Sequence, residues 1–312
     1  MKLAMVFPGQ GSQAVGMLQA YAGLGGVDEV RREAGEALGG EFLALLDGGP
    51  AEALNLTVNT QPAMVTAGYA AYRAWRALGG PQPEVVAGHS LGEYTALVAA
   101  GAISFRDCLP LVRFRAQAMQ EAVPEGQGAM AAILNLDDAA VRAACEEAAQ
   151  GEVVQAVNFN APGQIVIAGH KAAVGRAMEA CKARGAKRAL PLPVSAPFHS
   201  SLMRPAAERL RGYLERVTVA APTMALVNNV DVAVRAQAAE IKDALVRQAA
   251  SPVRWVETVQ KMKEMGVTHV VECGPGKVLA GMVKRIDGVL QSHALADKAS
   301  LEQALAALKA AA

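Results

Sequence analysis

The chain has 312 residues, with 30 Lys and Arg against 29 Asp and Glu, a formal charge of +1. That balance argues against a nucleic-acid binder resting on non-specific phosphate contacts and against a polybasic membrane anchor, while leaving room for a local patch that meets an acidic partner. With 52% hydrophobic residues but only 4% aromatic, the chain can bury a large core made mostly of Ala, Val, Leu and Ile, as one large α/β domain or two smaller units.

In chain order, Leu3–Phe7 predicts a buried strand ended by the Pro8-Gly9 turn. Its apolar run is too short for a signal-peptide core, and no small-residue cleavage site follows. No stretch approaches the roughly 20 apolar residues of a membrane span. A soluble, cytoplasmic protein is therefore expected. Gln61–Leu78 predicts a helix with Thr60 as N-cap and Pro62 in the first turn. Val85–Ala87 is a short strand ending at Gly88, followed by helices over Leu91–Ala100 and Phe105–Ala118. Past about Gly126 the pattern changes to strand Ala129–Leu134, helix Asp137–Ala149, strands Val153–Asn158 and Gln164–Ala168, helix Lys171–Arg184 and strand Lys187–Leu192. That βαββαβ order is the ferredoxin-like unit. The α/β pattern then returns with helices over Met203–Arg216, Ala239–Gln248 and Trp255–Met265, the strand Val270–Cys273 and the helix Val278–Arg285. Leu301–Ala312 reads as a surface helix that frays. The expected fold is thus α/β, with a large domain over residues 1–125 and 198–312 and an inserted subdomain over 126–197.

The sharpest motif is Gly88-His89-Ser90-Leu91-Gly92, a G-x-S-x-G placed after a strand and before a helix. A tight strand-to-helix turn holds its serine in a strained conformation, so the neighbouring positions must be tiny. It also presents the hydroxyl over a helix N-terminus, where free N–H groups can stabilise an oxyanion. The plainer reading is a glycine-rich turn whose serine caps the helix.

A serine nucleophile needs a base, and five histidines are available. His89 neighbours Ser90 in sequence, and adjacent side chains on such a turn point apart, which leaves it a supporting role. His170, His269 and His293 carry no accompanying motif and suit structural or solvated positions. His199 lies in the proline-stiffened segment Pro191–Ser200, where the inserted unit rejoins the large domain, and domain junctions are where clefts form.

Gly9-x-Gly11-x-x-Ala14 approximates a dinucleotide fingerprint, but Leu24–Val27 is no second strand to carry a ribose-binding acid. Its alternative use is a turn whose backbone N–H groups face the Ser90 elbow. Gly274-Pro275-Gly276-Lys277 lacks the residues of a phosphate loop and reads as a structural turn. The four cysteines form no C-x-x-C and are expected as buried or inert thiols, with no metal site.

Together these landmarks resemble the malonyl-CoA:acyl carrier protein transacylase family of bacterial type II fatty acid synthesis. The resemblance rests on Phe7–Gln13, Gly88–Tyr94, Arg115, Asn158–Gln164, Pro197–Ser200, Asn228–Val230, Gln248 and Gly274–Lys277, in family order. It implies an α/β-hydrolase-like large domain with a ferredoxin-like insertion, Ser90 as nucleophile and His199 as base. It further implies that a backbone carbonyl of Gln248 positions the histidine, that the N–H groups of Gln10 and Leu91 form the oxyanion hole, and that Arg115 binds the malonyl carboxylate. Phe198 resembles the malonyl-selective pattern of related acyltransferases. The implied reaction is ping-pong transfer from malonyl-CoA, through a malonyl-serine ester, to the phosphopantetheine thiol of acyl carrier protein, with no cofactor, metal, nucleic acid or membrane. A serine hydrolase or thioesterase using the same Ser-His pair is the alternative. A nicotinamide oxidoreductase built on the Gly9 turn and a non-catalytic scaffold are the readings from other classes.

Overall fold

A computed structural model of the chain describes residues 1–194 and 196–311; Ser195 and Ala312, the last residue of the expected C-terminal helix, lie outside the described residues. The strands are β1 (Leu3–Phe7), β2 (Val85–Gly88), β3 (Gly128–Leu134), β4 (Val154–Ala161), β5 (Gln164–His170), β6 (Arg188–Pro191), β7 (Ala225–Leu226), β8 (His269–Glu272) and β9 (Gln291–Ala294).

β1 and β2 are buried at every position, as their unbroken apolar runs require of strands covered on both faces. They sit inside a sheet of order β7-β2-β1-β8-β9 whose pairings are all parallel. The pairing of β1 with β2 sets Phe7 opposite Gly88. Two chains leaving the same edge side by side therefore become the Pro8–Gly11 turn and the His89–Leu91 turn. In parallel sheets ligands bind at this carboxyl edge.

The second sheet is antiparallel, of order β4-β5-β3-β6. Numbered within the βαββαβ unit that is second, third, first, fourth, the ferredoxin-like arrangement. The helices Asp138–Ala149 and Lys171–Ala183 supply Val141, Cys145, Val174 and Cys181 to a core of its own with Ile133, Ile165 and Ile167. Asp137 caps the first of them, its carboxylate accepting the Ala140 N–H at 2.8 Å. A single parallel bridge, Asn158 to Val253, ties β4 to the segment after Gln248.

Several expected boundaries move. The helix expected from Gln61 starts at Thr57, and Pro62 lies inside it rather than in the first turn. Thr60 does not cap it: its hydroxyl donates to the Leu54 carbonyl at 2.6 Å, tying in the preceding turn. The C-terminal helix, Lys298–Ala311, is not a loose surface element. Leu301, Ala304, Leu305 and Leu308 form one buried stripe at helical spacing and join the main core. Helices over Val27–Leu38 and Gly40–Gly48 and the strand β9 were not anticipated. All four cysteines are buried and unbridged. No helix among the described residues is long and apolar enough to cross a membrane.

Candidate active site

Ser90 has φ +51°, the left-handed region that L-residues rarely occupy. The flanking glycines are required by contact. A Cβ on Gly88 would lie 1.9 Å from the Gly92 carbonyl carbon, and one on Gly92 would lie 2.0 Å from the Phe7 oxygen. The strained turn is stapled by side chains. Asn229 accepts the Ser90 N–H at 2.8 Å and donates to the Gly88 carbonyl at 2.7 Å. Gln248 Nε2 donates to the Ser90 carbonyl at 3.0 Å.

Ser90 Oγ lies 2.7 Å from His199 Nε2, and His199 Nδ1 lies 2.9 Å from the Gln248 main-chain carbonyl. A carbonyl only accepts, so Nδ1 carries the proton and Nε2 offers its lone pair to the serine hydroxyl. No carboxylate among the described residues takes part in this pair. His199 is buried, and it too has a left-handed backbone, φ +66°. Burial first, and then the positive charge of Arg115, push its pKa down to about 3, against the opposing bond to the Gln248 carbonyl.

Arg115 comes from the helix Phe105–Glu121, whose N-terminus Ser104 caps by accepting the Asp107 N–H. Its side chain is 1% exposed, yet no acid pairs with it among the described residues. Its Nη1 donates to Gln61 Oε1 at 2.9 Å, and its Nη2 donates to Gln248 Oε1 at 2.9 Å and to Ser90 Oγ at 3.2 Å. Nε has no partner among the described residues, and the guanidinium stands 5.2 Å from the Tyr94 ring centroid. Arg113, its sequence neighbour, faces away and stacks on Phe42.

Ser90, His199, Arg115 and Gln61 line a cavity of about 580 Å³ that also takes in Gln10, Leu91, Met119, Met130, Leu192 and Phe198. The inserted unit therefore supplies one wall, through Met130 and Leu192. Gln10 and Leu91 stand on the two adjacent turns at the sheet edge, and neither backbone N–H donates to an acceptor among the described residues. Free N–H groups flanking a serine hydroxyl can hold a developing oxyanion.

All six expected site residues thus meet in one place: Ser90, His199, Arg115, Gln10, Leu91 and Gln248. His89 keeps a supporting position. Its ring bonds Asn160 Oδ1 at 2.7 Å and packs against Trp255, linking the elbow to β4. His170 Nδ1 accepts the Val153 N–H, and His269 stacks on His293, both far from the serine in role. Gly9 backs onto the His89 carbonyl, where a Cβ would lie 2.6 Å from the oxygen, so its turn braces the elbow. Gly274 packs against Pro8 as a structural turn. Sequence reasoning assigned no role to Asn229, Glu93, Gln61 or Asn160, and it gave Gln248 a role only through its carbonyl. Asn229, Glu93 and Asn160 lie within landmarks quoted for the resemblance, and that proximity was the one available signal.

The chain matches the family model described as "Acyl transferase domain" over residues 4–301. It is 56% identical over 305 residues to the malonyl CoA-acyl carrier protein transacylase of Salmonella typhimurium, covering 97% of this chain and 99% of that one. Among solved structures it is similar to the acyl-carrier-protein S-malonyltransferase of Burkholderia pseudomallei, with a TM-score of 0.96 and 66% identity over 98% of this chain and 100% of that one. A malonyl-transacylase solved in complex with its type II PKS acyl-carrier protein superposes with a TM-score of 0.96 at 52% identity, covering 98% and 100% of the two chains. Likeness of this extent carries the α/β-hydrolase-like core with its ferredoxin-like insertion. The chain belongs to the acyl transferase family and, within it, to the malonyl-CoA:acyl carrier protein transacylases.

Proposed function

We propose that this chain transfers malonyl from malonyl-CoA to the phosphopantetheine thiol of acyl carrier protein, for fatty acid biosynthesis, by way of a malonyl ester on Ser90. The observation that carries this reading is a buried arginine with no acidic partner among the described residues, 3.2 Å from the serine hydroxyl. A buried cation without a counter-ion is costly, and a substrate carboxylate supplies one. A guanidinium fork suits a carboxylate bidentately.

His199 Nε2 takes the Ser90 Oγ proton as Oγ attacks the thioester carbonyl. The oxyanion forms against the N–H groups of Gln10 and Leu91. Collapse breaks the C–S bond, and the CoA sulfur leaves with the proton held on Nε2. In the second half the carrier thiol gives its proton to Nε2, and its sulfur attacks the ester. Ser90 Oγ then departs and is reprotonated by His199. The Gln248 carbonyl holds the imidazole in the tautomer both halves need.

Pairing Arg115 with a carboxylate also offsets the charge that depresses His199, so the malonyl group raises the proton affinity of the base that acts on it. Phe198 and Met119 line the cavity, and bulky walls there disfavour a 2-methyl branch. We take residues 126–197 as the inserted subdomain and the rest as the acyltransferase domain, and place the activity in the cytoplasm. The test is transfer itself: radiolabelled malonyl supplied as malonyl-CoA should appear on holo carrier protein and not on the apo form. Release as free malonate at the same rate with and without carrier would support a hydrolase instead.

A further inference from the structure

Asn229 and Gln248 staple the elbow, and one carboxylate holds both. Glu93, buried in the first turn of the helix Gly92–Ala99, accepts the Asn229 N–H at 3.0 Å and a Gln248 Nε2 hydrogen at 3.0 Å, both on Oε2. The Gln248 amide is thereby fixed one way round. Its Nε2 faces two acceptors, Ser90 O and Glu93 Oε2, and its Oε1 faces the Arg115 Nη2 donor. A turned amide would set N–H groups against the guanidinium. The main-chain carbonyl of the same glutamine receives His199 Nδ1. Carboxylate recognition and the acid–base pair therefore share one residue, whose side chain is held by Glu93.

Resting on the functional reading above, we propose that Glu93 is a positioning residue for malonyl transfer, which aims Arg115 at the substrate carboxylate by fixing the Gln248 amide. Glu93 makes no ion pair with Arg115 among the described residues, and the hydrogen bonds that link the two run through that amide. Burial raises its carboxyl to about 7, opposed by its two hydrogen bonds and by Arg115, while Asp231 adds to the rise. The role rests on the two hydrogen bonds that Oε2 accepts, which a neutral acceptor at this position could also take.

The full chain is compared with Glu93→Gln, which keeps a carbonyl oxygen for both donors, and Glu93→Leu, which fills similar space with no acceptor. Acyl-enzyme formation is measured with malonyl-CoA and acetyl-CoA, and Ser90 reactivity with a small fluorophosphonate. Glu93→Leu should lose about tenfold or more of its malonyl-over-acetyl preference, mainly through a raised KM for malonyl-CoA, while Glu93→Gln stays within about threefold of the parent. A role confined to supporting the elbow would slow malonyl, acetyl and phosphonate reactions by one common factor, and would overturn the proposal. Should Glu93→Leu not fold, Glu93→Asp shortens the reach so that one oxygen cannot serve both donors, and an unchanged preference there overturns it equally. If the parent forms no malonyl adduct, the functional reading fails. If the parent loads malonyl and the variants keep its preference, only the role of Glu93 fails.

Discussion

Arg115 Nη2 lies 3.2 Å from Ser90 Oγ, so the buried cation assigned to the acyl carboxylate also touches the nucleophile. One charge then has two effects. Its N–H stabilises oxygen anion character on Ser90, and its field disfavours a proton on His199. Malonyl differs from acetyl by a terminal carboxylate, and that carboxylate removes the second effect when it pairs with the guanidinium. On the proposed reading, substrate choice and base strength are coupled through a single side chain.

Arg115→Ala should accordingly cut malonyl loading sharply and raise the relative loading of acetyl-CoA. Arg115→Lys should restore malonyl only in part, because a point charge cannot replace a fork held by Gln61 and Gln248. Acyl-enzyme formation from both thioesters measures this. An unchanged malonyl-to-acetyl ratio in Arg115→Ala would mean the carboxylate is read elsewhere, and Arg113 is a poor substitute since it stacks on Phe42.

The depressed pKa of His199 gives a pH signature. Held at about 3 rather than 6.5, the imidazole stays neutral and able to accept a proton well into acid. Fluorophosphonate labelling of Ser90 in Glu93→Gln, which lacks the Glu93 titration, should keep its rate from pH 8 down to pH 5. A fall with a midpoint near 6.5 would place His199 at its ordinary value. The same shift bears on stability. The unfolded chain binds this proton below about 6.5 and the folded chain only near 3, so this group costs stability as pH falls through that window.

Glu272 predicts the opposite slope away from the site. It is buried at the end of β8 and accepts the Ala280 N–H at 2.8 Å. Burial raises it to about 7, opposed by the N–H groups of Ala280, Leu279 and Val278. The unfolded carboxyl ionises near 4.5, so this group costs stability as pH rises from there to about 7. Glu272→Gln keeps an acceptor and has no proton to lose. Its stability relative to the parent, followed by thermal unfolding, should improve between pH 4.5 and pH 8, by no more than about 3.5 kcal/mol at roughly 1.4 kcal/mol per unit. A difference independent of pH would contradict this.

Much of the architecture was legible because burial on both faces leaves an unbroken apolar run, as in Leu3–Phe7 and Val85–Gly88. The βαββαβ order was legible because Asp137 caps the first helix and the Pro162-Gly163 turn separates the two middle strands. Residues 27–48 were not, since Gly35, Gly39 and Gly40 interrupt the helical signal there. The buried stripe of Leu301, Ala304, Leu305 and Leu308 was present in the periodicity but masked by the alanine-rich composition. At the site, G-x-S-x-G marked Ser90 because the turn itself demands glycines. His199 and Arg115 stood out from other residues of their kind only through the resemblance. Asn229, Gln248 and Glu93 converge from three separate segments, and no local pattern encodes hydrogen bonds between them.

Carrier recognition has its own test. Lys187, Arg188, Lys277, Lys284 and Arg285 are exposed, and none makes an ion pair among the described residues. Arg285 also reaches the inserted unit, donating to Gln164 Oε1 at 2.7 Å. If these cations meet an acidic carrier, reversing several charges should raise the KM for carrier protein, more strongly at low salt, and leave loading from malonyl-CoA unchanged. An equal fall in loading and transfer would show that the changes act on the catalytic site.

The claim on which the rest depends is that Ser90 carries the malonyl group with His199 as its base. Intact mass after brief mixing with malonyl-CoA tests it directly in the parent, Ser90→Ala and His199→Ala. The parent should gain one malonyl group, Ser90→Ala none while keeping its fold, and His199→Ala should form the same adduct about 10²–10⁴-fold more slowly. A malonyl adduct on Ser90→Ala, or an undiminished rate in His199→Ala, would contradict the assignment.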